Sequence, residues 1–179
     1  KKNNILKRAG ARFEDFLCLT GTIGDAKIGL DSLLKKRKLN KSILTESTVS
    51  KFLCPTVRTH FSQKIAKYAN ACIDISDGLF VDVSKLAKYS NCGLKVFSKN
   101  IPLSVIAKEK LKIKEYFLKD FISAGDDYEL AFAIKKKNLE VVKKIAYKMN
   151  VKFTVIGEFT KENVILLDKN TFTKGYSHF

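Results

Sequence analysis

One stretch of the chain decides which fold we expect: Ala71-Cys72-Ile73-Asp74-Ile75-Ser76-Asp77-Gly78-Leu79. Its first five residues are mostly apolar and typical of a buried strand, and the strand stops at Ser76-Asp77-Gly78. From Leu79 onward, apolar residues recur at helical spacing until Asn91-Cys92-Gly93 ends the helix. A strand that runs through a polar turn into an amphipathic helix is typical of folds built from layers of sheet and helix.

The rest of the chain alternates between strands and helices without a strict order. We predict strands at 16–20, 94–97, 128–134, 153–159 and 164–167, and helical segments at 28–34, 60–69, 104–122 and 138–149. The last two strands are separated by Thr160-Lys161-Glu162-Asn163, which predicts a hairpin. The stretch from Ser42 to Ser50, rich in small polar residues, indicates a surface connection and not a domain boundary. These elements predict an α+β fold with a mixed sheet.

Length and composition narrow the class of protein. The chain has 179 residues, of which 45% are hydrophobic, and this suits a single domain with a substantial core. The sequence shows no apolar run long enough to span a membrane and no secretory signal, and the four cysteines form no C-x-x-C pair. These features argue against a membrane span, a zinc site and a disulfide framework, and they favour a reducing cytoplasm.

The charge is strongly positive, but its composition argues against nucleic-acid binding. The net charge is +16, and all but four of the 34 basic residues are lysines. Proteins that read nucleic acid rely more on arginine, whose planar group makes paired hydrogen bonds. The densest basic run, Lys35-Lys36-Arg37-Lys38, follows an apolar helical stretch, and a solvated helix end explains it better than a binding patch. The charge does favour polyanions, nucleotide phosphates included.

The turn after the strand at 71–75 is the first candidate site. Side chains alternate along a strand, so Asp74 and Ser76 project to one face while their apolar neighbours enter the core. Asp77 lies where free backbone N–H groups and the helix dipole favour an anion. Two carboxylates beside a hydroxyl can hold Mg²⁺ while the hydroxyl and N–H groups face phosphate oxygens. The alternative is that Ser76 or Asp77 only caps the helix.

Two further segments are candidates, of which the first favours a site and the second carries a weak signal. Residues 123–130 place Asp126, Asp127 and Glu129 within four positions, and like charges this close need a cation, a basic side chain or open water. The alternative is an exposed acidic turn. The segment 20–26 has two glycines between a strand and a helix, but neither the P-loop nor the dinucleotide spacing, so a tight turn is the simpler interpretation.

The only histidines, His60 and His178, lack an acid or nucleophile at a recognisable spacing, which favours surface or capping roles for both.

Read together, these strings resemble the thiamine-monophosphate kinases, members of the aminoimidazole ribonucleotide synthetase-like superfamily. The segment from Ile73 to Leu79, with Asp82 and 90–93 after it, is similar to the family's I-D-x-S-D-G-L…D…S-x-C-G, and 125–130 resembles its G-E-D-Y-E-L. Four further segments resemble the family's R-x-G-A, T-G-x-x-G-D…G-L, P-x-x-R and G-[WY]-D-H-F: 8–11, 20–30, 55–58 and 175–179.

The resemblance implies a three-layer α/β/α domain that takes part in the Mg²⁺-dependent transfer of the γ-phosphoryl group of ATP to thiamine monophosphate. It implies metal ligands at Asp74 and Asp77, ATP contacts at Arg8 and Ser76, and substrate contacts at Asp126 and Tyr176. It assigns no side chain as a catalytic acid or base, because phosphoryl transfer depends mainly on positioning and on cations that neutralise the phosphates. Tyr176 is suited to stack on a cationic thiamine ring.

The chain also departs from the family pattern. Asp126 replaces a glutamate, Ser177 an aspartate, and Ala124 a frequent glycine. The resemblance begins in the middle of the family's sequence, so residues 1–179 correspond to the C-terminal domain alone, without the N-terminal domain that carries most metal ligands, part of the ATP site and the homodimer interface. We therefore expect the isolated fragment to be inactive. Two alternatives remain: a non-catalytic relic or basic nucleic-acid-associated domain of the same fold, and a related enzyme of the superfamily.

Overall fold

The computed structural model describes residues 5–34 and 43–171, and in this part of the chain a single seven-stranded sheet forms the centre of the fold. The strands are Phe16–Thr20 (β1), Ala69–Asp74 (β2), Gly93–Val96 (β3), Leu130–Ile134 (β4), Phe153–Thr160 (β5), Ile165–Leu167 (β6) and Asn170–Thr171 (β7). The α-helices are Asp25–Leu33 (α1), Ile43–Leu53 (α2), Thr59–Ile65 (α3), Leu79–Tyr89 (α4), Val105–Lys112 (α5), Leu118–Ile122 (α6) and Leu139–Lys148 (α7).

The sheet is mixed, which confirms the predicted α+β class. Its strand order is β2-β4-β1-β5-β3-β6-β7, and every neighbouring pair is antiparallel except β3 and β6. The central strand β1 pairs with β4 on one side and with β5 on the other. Strands distant in sequence therefore meet in the middle of the sheet, and their ends bring separate loops together.

Helices cover both faces of the sheet, so the three-layer arrangement is confirmed. Alternate residues of β1, β2 and β4 enter opposite layers, as the two-residue period of a strand requires. One layer packs these strands against α4, and its core includes Leu17, Ile73, Leu79, Val83 and Leu86. The other packs them against α3 and α7, and its core includes Cys18, Phe61, Ile65, Phe132 and Val142. A smaller cluster joins α1, α5 and α6.

The predicted hairpin between the last two strands is wrong. Strand β3 lies between β5 and β6, antiparallel to the first and parallel to the second. The segment after β5 crosses the start of β3, where Gly93 leaves room for it: a Cβ on Gly93 would lie 1.7 Å from the carbonyl oxygen of Glu162. Local spacing predicted the hairpin, whereas long-range pairing with β3 determines the strand order.

Helix boundaries also correct the sequence analysis. The expected surface connection at Ser42–Ser50 lies largely in α2, which packs closely on α1, because Gly29 lets the backbone of Thr48 approach: a Cβ there would lie 2.3 Å from the Thr48 carbonyl oxygen. The helical stretch at 104–122 is divided into α5 and α6, and the predicted helix at 60–69 gives way to β2 at Ala69.

Within the described residues, no helix has the length and apolar character needed to cross a membrane.

Candidate active site

The first candidate turn has the strand-to-helix geometry that the sequence predicts. Asp74 is the last residue of β2, and α4 begins at Leu79. The N-cap of α4 is Gly78, whose φ of 117° is accessible mainly to glycine, and a Cβ here would lie 3.0 Å from the carbonyl oxygen of Ser123. Neither Ser76 nor Asp77 occupies the N-cap position, so the interpretation of these residues as helix caps is wrong.

A residue of the helix itself occupies the space inside this turn. The side chain of Asp82, 1% exposed, accepts hydrogen bonds through Oδ2 from the backbone N–H groups of Ser76 at 3.0 Å and Asp77 at 2.9 Å. The free N–H groups of this turn were expected to face phosphate oxygens, but the carboxylate of Asp82 already binds two of them, those of Ser76 and Asp77. The turn therefore presents side chains and not these amides to a ligand.

Lys85 links the buried carboxylate to the exposed one. Its Nζ lies 3.0 Å from Oδ1 of Asp82 and also donates a hydrogen bond to the carboxylate of Asp77. The hydrogen bond to Asp77 is the main reason why the pKa of Lys85 is raised above its ordinary value, and the contact with Asp82 adds to the effect. The carboxylates of Asp77 and Asp82 thus share the ammonium group of Lys85.

Arg8 lies beside Asp74, as a shared site would require. Its Nη2 is 3.8 Å from Oδ1 of Asp74, and the two side chains are 61% and 44% exposed. An ion pair this exposed contributes little to folding stability, roughly 0–1 kcal/mol. The guanidinium and the carboxylate therefore remain accessible to ligands.

The second acidic segment is held against the first turn by backbone contacts. The N–H of Asp126 donates to the carbonyl oxygen of Ser76 at 3.1 Å, and the N–H of Tyr128 to that of Ile75 at 2.9 Å. Gly125 makes this approach possible, since a Cβ there would lie 2.1 Å from the Ser76 carbonyl oxygen. Asp126 has a positive φ of 67°, a region that aspartate and asparagine tolerate better than most residues. Residues about fifty positions apart in sequence thus form one surface.

These two segments line an open cleft of about 740 Å³. Three of the predicted site residues, Ser76, Asp77 and Asp126, lie in its wall together with Lys27 and Lys119. Arg8 and Asp74 contact each other but do not line this cleft. Tyr176, the remaining predicted contact, lies outside the described residues.

The acids that follow Asp126 have a different role. Both carboxylate oxygens of Asp127 accept the backbone N–H of Gly24, at 3.0 and 3.1 Å, so this side chain ties the turn before α1 to the acidic loop. Burial raises the pKa of Asp127 to about 7, an effect that the amide hydrogen bonds oppose and the nearby charges of Asp25 and Glu129 reinforce.

Glu129 is the most strongly bonded acid of this segment. It is 8% exposed and receives two hydrogen bonds from Arg58, at 2.7 and 2.8 Å, and one from the hydroxyl of Thr20 at 2.5 Å. The hydrogen bond to Glu129 raises the pKa of Arg58 further. Gly21 lies against the same carboxylate, because a Cβ there would come within 1.9 Å of its Oε1. The predicted tight turn at 20–26 is confirmed, with Gly21 and Gly24 both at positive φ.

The roles of Asp82 and of the Arg58–Glu129 pair were not predicted from the sequence. The spacing of Asp82, four residues after Gly78, offered a signal, because it places the side chain in the first turn of the helix. Arg58 and Glu129 carry no comparable local signal, since 71 residues separate them.

The oxygen ligands at the turn suit a magnesium ion. Asp74 and Asp77 are 44% and 49% exposed, and carboxylate oxygens are the ligands that Mg²⁺ prefers. Within residues 5–34 and 43–171, no three histidine, cysteine, aspartate or glutamate side chains form a metal-binding group. The donor type therefore fits Mg²⁺, and a complete shell requires further oxygens from phosphate, water or other protein residues.

Comparison with known proteins defines the class to which this fold and this turn belong. Residues 14–169 match the family described as AIR synthase related protein, C-terminal domain, and the chain belongs to that family. HypE from E. coli, described as a hydrogenase maturation protein, shares the fold: its crystal structure aligns with a TM-score of 0.73 at 16% identity, over 97% of this chain and 53% of that one.

Within the family, the resemblance to thiamine-monophosphate kinases is confirmed. The chain is 36% identical to the thiamine-monophosphate kinase of Buchnera aphidicola subsp. Schizaphis graminum, over 98% of this chain and 56% of that protein. The crystal structure of the enzyme from Stenotrophomonas maltophilia K279a aligns with a TM-score of 0.87 at 27% identity, covering 96% of this chain and 55% of that one. A structure described as AaThiL complexed with AMPPCP and TMP gives 0.80 at 30% identity, over 97% and 54%. The chain spans about half the length of these relatives.

Proposed function

We propose that this chain is the C-terminal part of a kinase that transfers the γ-phosphoryl group of ATP to thiamine monophosphate, giving ADP and thiamine diphosphate, in thiamine diphosphate biosynthesis. The observation that carries the proposal is the convergence of Ser76, Asp77 and Asp126 on one cleft, in a chain 36% identical to thiamine-monophosphate kinases. A solved relative described as a complex with AMPPCP and TMP supports ATP and thiamine monophosphate as the ligands.

The proposed roles follow from the charges around the turn. Asp74 and Asp77 hold Mg²⁺, which neutralises the phosphate oxygens when bound. Ser76 and the exposed guanidinium of Arg8 contact ATP, and a planar guanidinium can bind phosphate through two hydrogen bonds. Lys27 and Lys119 add positive charge to the cleft wall.

On the substrate side, Asp126 and Tyr176 bind thiamine monophosphate. The carboxylate of Asp126 lies next to the Ser76 turn through the Asp126–Ser76 backbone hydrogen bond, so it brings negative charge close to the phosphate site. This placement suits a substrate that carries a cationic ring and a phosphate at opposite ends. Tyr176 stacks on the ring.

The cellular setting is part of the same proposal. All four cysteines are free thiols, three of them buried, which supports a reducing cytoplasm. The lysine-rich surface serves solubility and attraction of phosphates and does not bind nucleic acid. In the whole enzyme, a homodimer forms mainly through the N-terminal domain.

The first experiment compares this chain with the intact protein that contains it. The intact protein should form thiamine diphosphate from ATP, Mg²⁺ and thiamine monophosphate, and residues 1–179 alone should form none, because most metal ligands lie on the other domain. Product is measured by chromatography of the reaction mixture. Turnover by residues 1–179 would refute the division of the site, and an inactive intact protein with a normal melting temperature would favour the non-catalytic relic.

A second experiment tests the substrate side with Tyr176→Ala in the intact protein. We expect the KM for thiamine monophosphate to rise roughly two- to thirtyfold while the KM for ATP stays the same, because an aromatic stacked on a cationic ring contributes about 0.5–2 kcal/mol. Tyr147→Ala is the matched control, since Tyr147 is 88% exposed on α7. Loss of thermal stability without a selective change in KM would mean that Tyr176 only packs the C-terminal segment.

A further inference from the structure

We infer that Asp82 is a positioning residue for the proposed metal and ATP contacts: it fixes the Ser76–Asp77 turn, and through Lys85 it orients the carboxylate of Asp77. The inference rests on the proposed function, in which Asp77 binds Mg²⁺ and Ser76 contacts ATP. Asp82 itself, at 1% exposure, does not reach a ligand.

The buried carboxylate of Asp82 has partners at both of its oxygens. A carboxylate removed from water is stable only when its oxygens receive hydrogen bonds or face a cation. Asp82 has both: Oδ2 accepts the two consecutive N–H groups of Ser76 and Asp77, and Oδ1 faces the ammonium of Lys85. Charge-assisted hydrogen bonds of this kind are among the stronger ones in proteins.

The hydrogen bonds of Asp82 also fix the conformation of the turn at Ser76 and Asp77. Two successive amides that converge on one oxygen fix the backbone at Ser76 and Asp77, so their side chains are directed to the wall of the cleft. The carbonyl oxygen of the same Ser76 accepts the N–H of Asp126. Asp82 thus holds the peptide that connects the proposed metal and ATP residues to the proposed substrate residue.

Through Lys85, Asp82 is also linked to the proposed metal ligand Asp77. Lys85 donates to both Asp77 and Asp82, so the carboxylate of Asp77 is held at the helix side of the turn before any ligand arrives. Groups that hydrogen-bond to a metal ligand orient it, and their removal typically lowers metal affinity about 10- to 100-fold.

The test follows Mg²⁺ binding to the ¹⁵N-labelled chain by NMR, with Asp82→Asn compared with Asp15→Asn. Asp15 is a matched control: it is 2% exposed and accepts the backbone N–H of Arg12 at 2.9 Å and the Asn70 amide at 2.7 Å, and it does not line the cleft. We expect the Mg²⁺ concentration that half-saturates the shifts of the Asp74 and Asp77 amides to rise about tenfold or more in Asp82→Asn. It should stay within about twofold of the unmodified chain in Asp15→Asn.

Amide hydrogen exchange of the unmodified chain gives a second measurement that needs no variant. Ser76 and Asp77 should exchange slowly if Asp82 binds their N–H groups, and fast exchange of both would overturn the inference even if Asp82→Asn fails to fold. Equal half-saturation in Asp82→Asn and Asp15→Asn would overturn it too, as would the absence of any Mg²⁺ response at the turn of the unmodified chain. Formation of thiamine diphosphate by the intact protein is measured separately, so failure of the proposed function is distinguished from failure of the inference.

Discussion

Two groups of acidic residues lie at the same end of the sheet and have opposite environments. Asp74 and Asp77 are about half exposed, and Asp77 borders the open cleft with Asp126. Glu129 and Asp25, by contrast, are 8% and 2% exposed and are bound by Arg58 and Lys51. The first group is accessible to a ligand despite its contacts with Arg8 and Lys85, whereas the second is buried together with its hydrogen bonds.

The difference shows that acidity in a motif does not by itself indicate a ligand-binding residue. In the segment 125–129, the side chain of Asp126 borders the cleft, that of Asp127 ties down a neighbouring turn, and that of Glu129 closes a buried ion pair. The direction of each side chain depends on long-range contacts. We expect substitutions in the buried group to change stability and substitutions in the exposed group to change activity.

The largest effect is expected for Glu129→Gln. Removing the charge of one partner leaves the Arg58 guanidinium without its bidentate acceptor, and breaking a buried pair in this way costs about 3 kcal/mol. The neighbouring Asp126→Asn, which also suits a positive φ, should change the free energy of unfolding by less than about 0.5 kcal/mol. Urea unfolding of both variants measures the contrast, and equal losses would remove the distinction between the two groups.

Asp77→Asn should show the opposite pattern in the intact protein. Loss of a proposed metal ligand is expected to lower kcat on the order of 10²-fold while the melting temperature stays close to that of the unmodified protein. Asp168→Asn is the control, since Asp168 has a positive φ, which asparagine tolerates, and accepts the N–H of Ser98, and neither residue lines the cleft. Normal turnover of Asp77→Asn would mean that the exposed group does not hold the metal.

A smaller effect, on pH dependence, is expected from Asp127. Its pKa in the folded chain is about 7, above the ordinary 3.8, so the folded state holds the proton more tightly than the unfolded state. The stability this provides is present at low pH and is lost as the pH rises through about 7. Between about pH 5 and pH 8, the free energy of unfolding should fall by about 2 kcal/mol more in the unmodified chain than in Asp127→Asn. If the unmodified chain and Asp127→Asn lose the same free energy of unfolding between the two pH values, the raised pKa of Asp127 is contradicted.

Much of the fold could be predicted because its elements carry local patterns. The strand at 16–20 and the helix after Leu79 are found where hydrophobic periodicity places them. The stretch at 42–50 was predicted as a surface connection because it is rich in small polar residues, whereas α2 approaches α1 where Gly29 meets the backbone of the buried Thr48. Close packing between helices through a glycine leaves little hydrophobic signal.

The position of the candidate cleft was predictable in part, again from local patterns. The turns at 76–78 and 125–127 stand out as strings of aspartate and glycine, and the structure brings Ser76, Asp77 and Asp126 into one cleft. The occupation of the turn amides by Asp82 was missed, since a carboxylate on the helix and a phosphate compete for the same N–H groups and a sequence does not show which one binds. The Arg58–Glu129 pair depends on the tertiary fold alone.

The position of β3 between β5 and β6 has a consequence for how the chain reaches its native state. Among the seven strands, only β6 and β7 are neighbours both in sequence and in the sheet, so the sheet offers almost no hairpin from which folding can start. The central strand β1 must wait for β4 and β5, more than a hundred residues later. Chains dominated by such non-local pairing fold slowly, because loop closure precedes any gain from contact. During synthesis, the sheet therefore assembles only when nearly the whole segment through residue 160 has left the ribosome.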